Sequence, residues 1–229
     1  MCFAVNQSNK AELEKQLSLW PKGDLSLVGW SPRRWMDAFA HPLMPVILND
    51  RTVDLARWGL IPPWVRDEAD AKIRQNQTLN AKAETMHELP SFRASAAGKR
   101  CLVVVNGFFE YQHLNHTGEP DPLGKASRPY LLFLQDRPAF FLGGLWSPWG
   151  GGNTFTIVTM PSNQLMSRIH NTKMRMPVII LEEAAESWLA GGSAADLQPF
   201  LRPRDDIGLS AEETEGRPKE QVVPQGGLF

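Results

Sequence analysis

Apolar residues in this 229-residue chain come in short runs separated by Gly, Pro and polar clusters, and two stretches show a helical period. The clearest run is 100–111 (RCLVVVNGFFEY), β-branched and aromatic almost throughout, which predicts a strand. Residues 130–134, 139–146 and 155–159 predict further strands, and 176–181 returns as another. Leu13 and Leu17 stand at i,i+4 behind Ser8 or Asn9, predicting a short amphipathic helix over 9–19. Ser162 is a candidate cap for a second helix that carries Leu165, Met166 and Ile169 on one face and ends near His170. Pro21, Gly23, Gly29, Pro32, Pro42 and Pro45 break the stretch between 20 and 50 into turns and short strands. Residues 112–129 read as a long polar loop, and from about Arg202 the chain turns acidic and poor in apolar residues. This pattern predicts a mixed α+β fold, dominated by curved, mainly antiparallel sheets with a few short helices around a central cleft. It predicts one domain over 1–201 and a flexible acidic tail over 202–229.

With 42% hydrophobic residues the chain can bury one core. The two cysteines, Cys2 and Cys101, are too few for a disulfide framework, which points to a reducing cytoplasm. Polar residues interrupt the N-terminus before any signal-peptide core, and no apolar run approaches a membrane span of about 20 residues. The net charge of −1 argues against an indiscriminate polyanion binder. The average hides an asymmetry, however. Lys72, Arg74, Lys82, Arg93, Lys99 and Arg100 face only Glu84 and Glu88 in that stretch, and Arg168, Lys173 and Arg175 follow with no acid between residues 160 and 181. His113 and His116 share a polar loop without a carboxylate pattern, so they predict a surface insertion rather than a metal site. No metal or cofactor is expected.

Cys2 carries the most distinctive chemistry. Removal of Met1, favoured by the small second side chain, leaves a free 1,2-aminothiol whose amine, with a pKa of about 7.7–8.0, is partly neutral at pH 7. Such an amine attacks aldehydes, and the adjacent thiol then closes a thiazolidine ring, a far more durable adduct than an imine. Glu110 ends an apolar strand, where partly dry surroundings would raise its pKa toward an acid/base value. His170 sits at a helix C-terminus, where the dipole favours imidazolium. Each of these residues taken singly has an ordinary structural reading as well.

Taken in order, the segments around these residues resemble the SRAP family of abasic-site processing proteins, which form covalent adducts with damaged single-stranded DNA. The resemblance rests on Met1-Cys2, Trp58-Gly59-Leu60-Ile61-Pro62-Pro63-Trp64 and Asn80-Ala81-Lys82-Ala83-Glu84. It extends through Arg100-Cys101-Leu102-Val103, Gly107-Phe108-Phe109-Glu110, Gly144-Leu145-Trp146, Phe155-Thr156-Ile157-Val158-Thr159 and residues 165–177. It implies Cys2 as nucleophile through amine and then thiol, with Asn80 positioning the N-terminus and the sugar. Glu110 would shuttle protons, and His170 would protonate the deoxyribose ring oxygen to favour the open aldehyde. It implies DNA contacts from Lys82 and Arg175 to phosphates, a hydroxyl from Thr159 and stacking by Trp64, with Trp58 in the core.

This sequence departs from the family pattern at Phe3-Ala4-Val5, where many members carry Gly-Arg, and at Lys82, where they carry Arg. Phe39-Ala40-His41-Pro42 stands where many members have Asn before Ala-Pro, and the spacing from His170 to Arg175 is longer than usual. The end of the chain, with Gln225, Leu228 and Phe229, is similar to peptides that dock on bacterial sliding clamps. The expected protein is a cytoplasmic, nucleoid-associated monomer. Two other readings stand beside adduct formation: an N-terminal-nucleophile cysteine peptidase, with removal of its own Met1 as the narrowest form, and a non-catalytic single-stranded DNA binder.

Overall fold

The computed structural model describes residues 2–21, 27, 29–190 and 193–217. Its strands are β1 (Ala4–Asn6), β2 (Met36–Asp37), β3 (Leu43–Leu48), β4 (Val53–Trp58), β5 (Asn80–Lys82), β6 (Arg100–Val105), β7 (Gly107–Leu114), β8 (Ala126–Leu134), β9 (Phe140–Trp149), β10 (Gly152–Pro161), β11 (Arg175–Pro177), β12 (Ile179–Ile180) and β13 (Leu209–Glu213). The helices are α1 (Lys10–Ser18), α2 (Glu68–Gln77), α3 (Arg93–Ala96), α4 (Gln164–Ile169), α5 (Glu182–Ala190) and α6 (Ala194–Leu197). The fold is the expected α+β type, with strands dominating and helices short.

Two sheets divide the strands. One has the order β13-β8-β7-β1-β2, and the other runs β11-β10-β4-β3-β6-β9-β12, with β5 also on β10. Because β10 pairs with β9 as well as β4, strands β3, β4, β10, β9 and β6 close into a small barrel. Pairing is mainly antiparallel, and β10 makes the parallel exceptions with β4 and β5. The β9–β10 hairpin turns through Gly150 and Gly151, both at positive φ, the conformation that residues with a Cβ disfavour. Trp58 and Phe155 fill the barrel from neighbouring strands, fully buried and stacked 5.8 Å apart. The Trp58 indole N–H donates to the Leu79 carbonyl at 2.9 Å, which lets this large polar-tipped side chain sit in the core without an orphaned donor.

The run at 100–111 is two strands rather than one. β6 belongs to the barrel and β7 to the other sheet, with Asn106 between them. Its backbone N–H reaches Asn6 O at 2.8 Å, its carboxamide donates to Pro138 O at 2.8 Å, and its Oδ1 accepts from Asn9 N at 2.9 Å. Next to it, a Cβ on Gly107 would meet the Leu132 carbonyl oxygen at 2.5 Å, so only glycine lets β8 approach there. Residues 176–181 also divide, into β11 on one side and β12 on the other, with Val178 bonded to both Val158 and Gly143.

Two further expectations are corrected. The polar loop is shorter than 112–129, because β7 extends to Leu114 and β8 begins at Ala126. Residues beyond 201, expected as tail, contribute β13, which pairs with β8 from Leu209↔Leu134 to Glu213↔Tyr130. An edge strand needs little apolar burial, so composition conceals it. The proposed clamp peptide, Gln225, Leu228 and Phe229, lies outside the described residues. None of the described helices is long and apolar enough to cross a membrane.

Candidate functional site

Cys2 leads into β1, which lies between β7 and β2 with Val5 opposite Phe108 and Met36. The side chain is fully buried, with Sγ 3.8 Å from the Ala4 carbonyl. Burial, reinforced by the Glu110 carboxylate, pushes the thiol pKa up. Asn80 opens β5 and lies opposite Ile157 of β10, and from there its Nδ2 donates to the Cys2 carbonyl at 2.9 Å. The Asn80 Oδ1 is buried and accepts no hydrogen bond among the described residues. An acceptor left this way in a dry site costs about 1–3 kcal/mol.

Alternation along β7 sets the face of Glu110. Phe108, Glu110, Gln112 and Leu114 are buried together, while Tyr111 and His113 on the opposite face are partly open. Desolvation pushes the Glu110 pKa up to about 7. The expected strand-end position is corrected: Glu110 lies within β7, and its burial there is deeper than a sheet rim would give.

His170 closes α4. The helix is capped by Asn163, whose Oδ1 accepts from Met166 N at 2.9 Å, one residue beyond the expected Ser162. Met166 and Ile169 are its buried face. Three hydrogen bonds of 2.9 Å clamp the end of α4 onto β7. Gln112 Nε2 donates to Arg168 O, His113 N donates to Asn171 Oδ1, and Asn171 Nδ2 donates to His113 O. They bring His170 alongside the strand segment that carries Glu110. The His170 Nδ1–H donates to the Arg175 carbonyl at 2.9 Å, which places the lone pair of the neutral ring on Nε2. Burial lowers its pKa to about 4, so the imidazole is neutral at pH 7. The expected imidazolium is therefore corrected: desolvation outweighs the dipole of a six-residue helix.

The DNA-contact expectations divide. Lys82 is exposed at the end of β5. Trp64 is 43% exposed, its Nε1 donating to Pro90 O at 3.3 Å and the Arg74 guanidinium 5.2 Å from its ring centre. Thr159 is fully buried, so its hydroxyl is not open to a strand of DNA. Arg175 is buried and engaged. Its Nη1 and Nη2 meet the two Glu84 carboxylate oxygens at 2.7 and 2.8 Å, and Nη2 also donates to Thr159 O at 2.7 Å. Thr159 lies between β5 and β11 in the sheet, and the Arg175 guanidinium is taken up by Glu84 and the Thr159 carbonyl. Sequence reasoning missed Glu84 as partner of Arg175, a pairing across 91 positions that no local pattern signals. Lys173 is exposed in the turn after His170, and its charge contributes to the lowering of the imidazole pKa. His113, set aside as a ligand, uses Nδ1 to bond Gly124 O at 3.0 Å.

Comparison with known proteins fits this geometry. The model of the SOS response associated peptidase (SRAP) family matches residues 1–216. The abasic site processing protein YoqW of Bacillus subtilis (strain 168) is 39% identical over 175 residues, covering 72% of this chain and 71% of that one. The abasic site processing protein HMCES of Xenopus tropicalis is 33% identical over 177 residues, covering 69% of this chain and 52% of its own. A crystal structure of a protein from Bacteroides thetaiotaomicron superposes with a TM-score of 0.83 at 32% identity, covering 99% of this chain and all of that one.

Proposed function

Because the chain belongs to the SOS response associated peptidase (SRAP) family, we propose that it processes abasic sites in single-stranded DNA, capturing them covalently through Cys2 once Met1 has been removed. The names of its relatives support the substrate. The covalent step is supported by one contact above all, the 2.9 Å hydrogen bond from Asn80 Nδ2 to the Cys2 carbonyl, which ties the reacting residue to the side chain expected to position it.

The reaction follows from the groups at hand. An abasic deoxyribose is mostly a closed hemiacetal, so an aldehyde must first be released. A neutral His170 takes the anomeric hydroxyl proton and returns it to the ring oxygen as that C–O bond breaks, which conserves the proton and passes through imidazolium only transiently. The free amine of Cys2 then adds to the aldehyde carbon to give a carbinolamine. Glu110, with a pKa of about 7, is divided between acid and base near neutrality. It accepts the proton shed by the amine and delivers one to the departing hydroxyl, leaving an imine and water. The Cys2 sulfur adds to the imine carbon, its proton passes to nitrogen, and the thiazolidine closes. Asn80 Oδ1, with no partner among the described residues, is the acceptor for a sugar hydroxyl or the carbinolamine.

This order also weighs against the peptidase reading. A buried thiol held in its protonated form is poorly placed to open a reaction as thiolate, whereas amine-first chemistry asks it to act only after the imine exists. Lys82 and Lys173 are the exposed cations for phosphates, and Trp64 offers a stacking face. One domain acting as a monomer on one strand suffices for these steps.

Protein lacking Met1, mixed with a single-stranded oligonucleotide carrying one abasic site, should give a heat-stable shifted species and an intact mass equal to the sum of the two minus one water. Absence of any covalent product, with binding retained, would overturn the reading in favour of a non-catalytic binder.

A further inference from the structure

The guanidinium of Arg175 reaches across β10 and fastens together the strands on its two edges. On one edge, β11 begins at Arg175, with Pro161↔Arg175, Met160↔Met176 and Thr159↔Pro177 in register. On the other, β5 runs parallel to β10 with Thr159↔Lys82, and the next residue, Ala83, donates its N–H to Thr159 O at 2.8 Å. Glu84 follows directly, and its carboxylate receives both terminal nitrogens of Arg175. Thr159 lies between them: its carbonyl accepts from Ala83 N and Arg175 Nη2, and its hydroxyl oxygen stands 3.3 Å from Nη2 and 3.4 Å from Nε.

Each edge carries one member of the site. β5 starts with Asn80, which holds the Cys2 carbonyl, and the Arg175 backbone carbonyl is the acceptor that orients His170. Each strand is held to β10 by backbone pairing over only a short span. Both are three residues long, and β11 follows a turn in which Met174 adopts φ +48°, a conformation that residues with a side chain disfavour. A planar bidentate pair supplies direction as well as attraction, which a point charge does not.

We infer that Glu84 and Arg175 are positioning residues, a brace across β10 that sets Asn80 and His170 at a fixed separation and holds the His170 ring in its Nδ1–H tautomer. This rests on the reading of Asn80 and His170 given above. It assigns Arg175 to orientation, with phosphate contact left to the exposed lysines.

The test compares Glu84→Gln and Arg175→Lys with the unaltered protein, all lacking Met1. Both variants should crosslink an abasic oligonucleotide at least about tenfold more slowly, since small misplacement of reacting groups is costly. Both should bind an undamaged strand within about twofold of the unaltered protein, and nitrogen NMR of the His170 ring should shift from the Nδ1–H form toward a tautomer mixture. In a His170→Gln background, Glu84→Gln should add little further loss, because coupled residues are not additive. Unchanged rate and unchanged ring signals in Glu84→Gln would overturn the brace. So would a loss of undamaged-strand binding in Arg175→Lys matching its loss of crosslinking, which would return Arg175 to phosphate contact. An unaltered protein that never crosslinks would instead sink the functional reading, and the ring signals would still decide the brace.

Discussion

Two polar clusters share the neighbourhood of β10 and meet the problem of burial in opposite ways. Around Thr159, the charge of Arg175 is matched by Glu84, whose carboxyl is held below the usual carboxylate range by its hydrogen bonds to that guanidinium. Around Cys2, burial dominates instead: Glu110 is driven up to about 7 and His170 down to about 4, each toward its neutral form. A cluster whose charges are permanent and matched fixes geometry. A cluster whose groups are pushed toward neutrality suits the proton transfers of the proposed reaction.

The contrast breaks most completely at Cys2. Cys2→Ser should abolish the heat-stable adduct while leaving an imine that borohydride traps, and a stable adduct from that variant would show that the thiol is not used. Glu110→Gln should slow single-turnover crosslinking by about 10²–10⁴, and a change of under about threefold would place Glu110 outside the proton path.

Stability against pH sharpens the difference further, because the two shifts have opposite signs. The raised Glu110 favours the folded state below its ordinary value of 4.5, and that contribution is lost as pH rises through about 7. The lowered His170 contributes above its ordinary 6.5, and that contribution is lost as pH falls through about 4. Each effect is of order 3 kcal/mol from the size of its shift. Relative to the unaltered protein, Glu110→Gln should therefore gain stability from pH 4.5 to 7, and His170→Gln should lose it from pH 4 to 6.5, as read by chemical denaturation across that range. The smallest effect belongs to the exposed rim. Lys82→Ala should lower affinity for any single strand modestly and reduce the slope of log K against log salt by about one.

Much of this molecule was legible in its sequence, and what was hidden shares a cause. α1 and the apolar strands announce themselves through local pattern, and Cys2, Asn80, Glu110 and His170 stand out as candidates through an ordered motif. The break at Asn106 does not, because a run of β-branched and aromatic residues reads the same whether it serves one sheet or two. The Glu84–Arg175 pair joins positions distant in sequence, so no local pattern marks it. β13 escapes notice because an edge strand is held by backbone hydrogen bonds that composition does not record.

The barrel's closing strand has a consequence for synthesis. β10 seals the cylinder against β4 and β9 and also receives β5 and β11, so shutting the barrel and mustering the reactive groups are one event. A nascent chain still lacking residues 152–177 has Cys2 but neither its imidazole nor a closed wall. On the proposed reading, the assembled set of groups around Cys2 exists only once the wall of the barrel is complete.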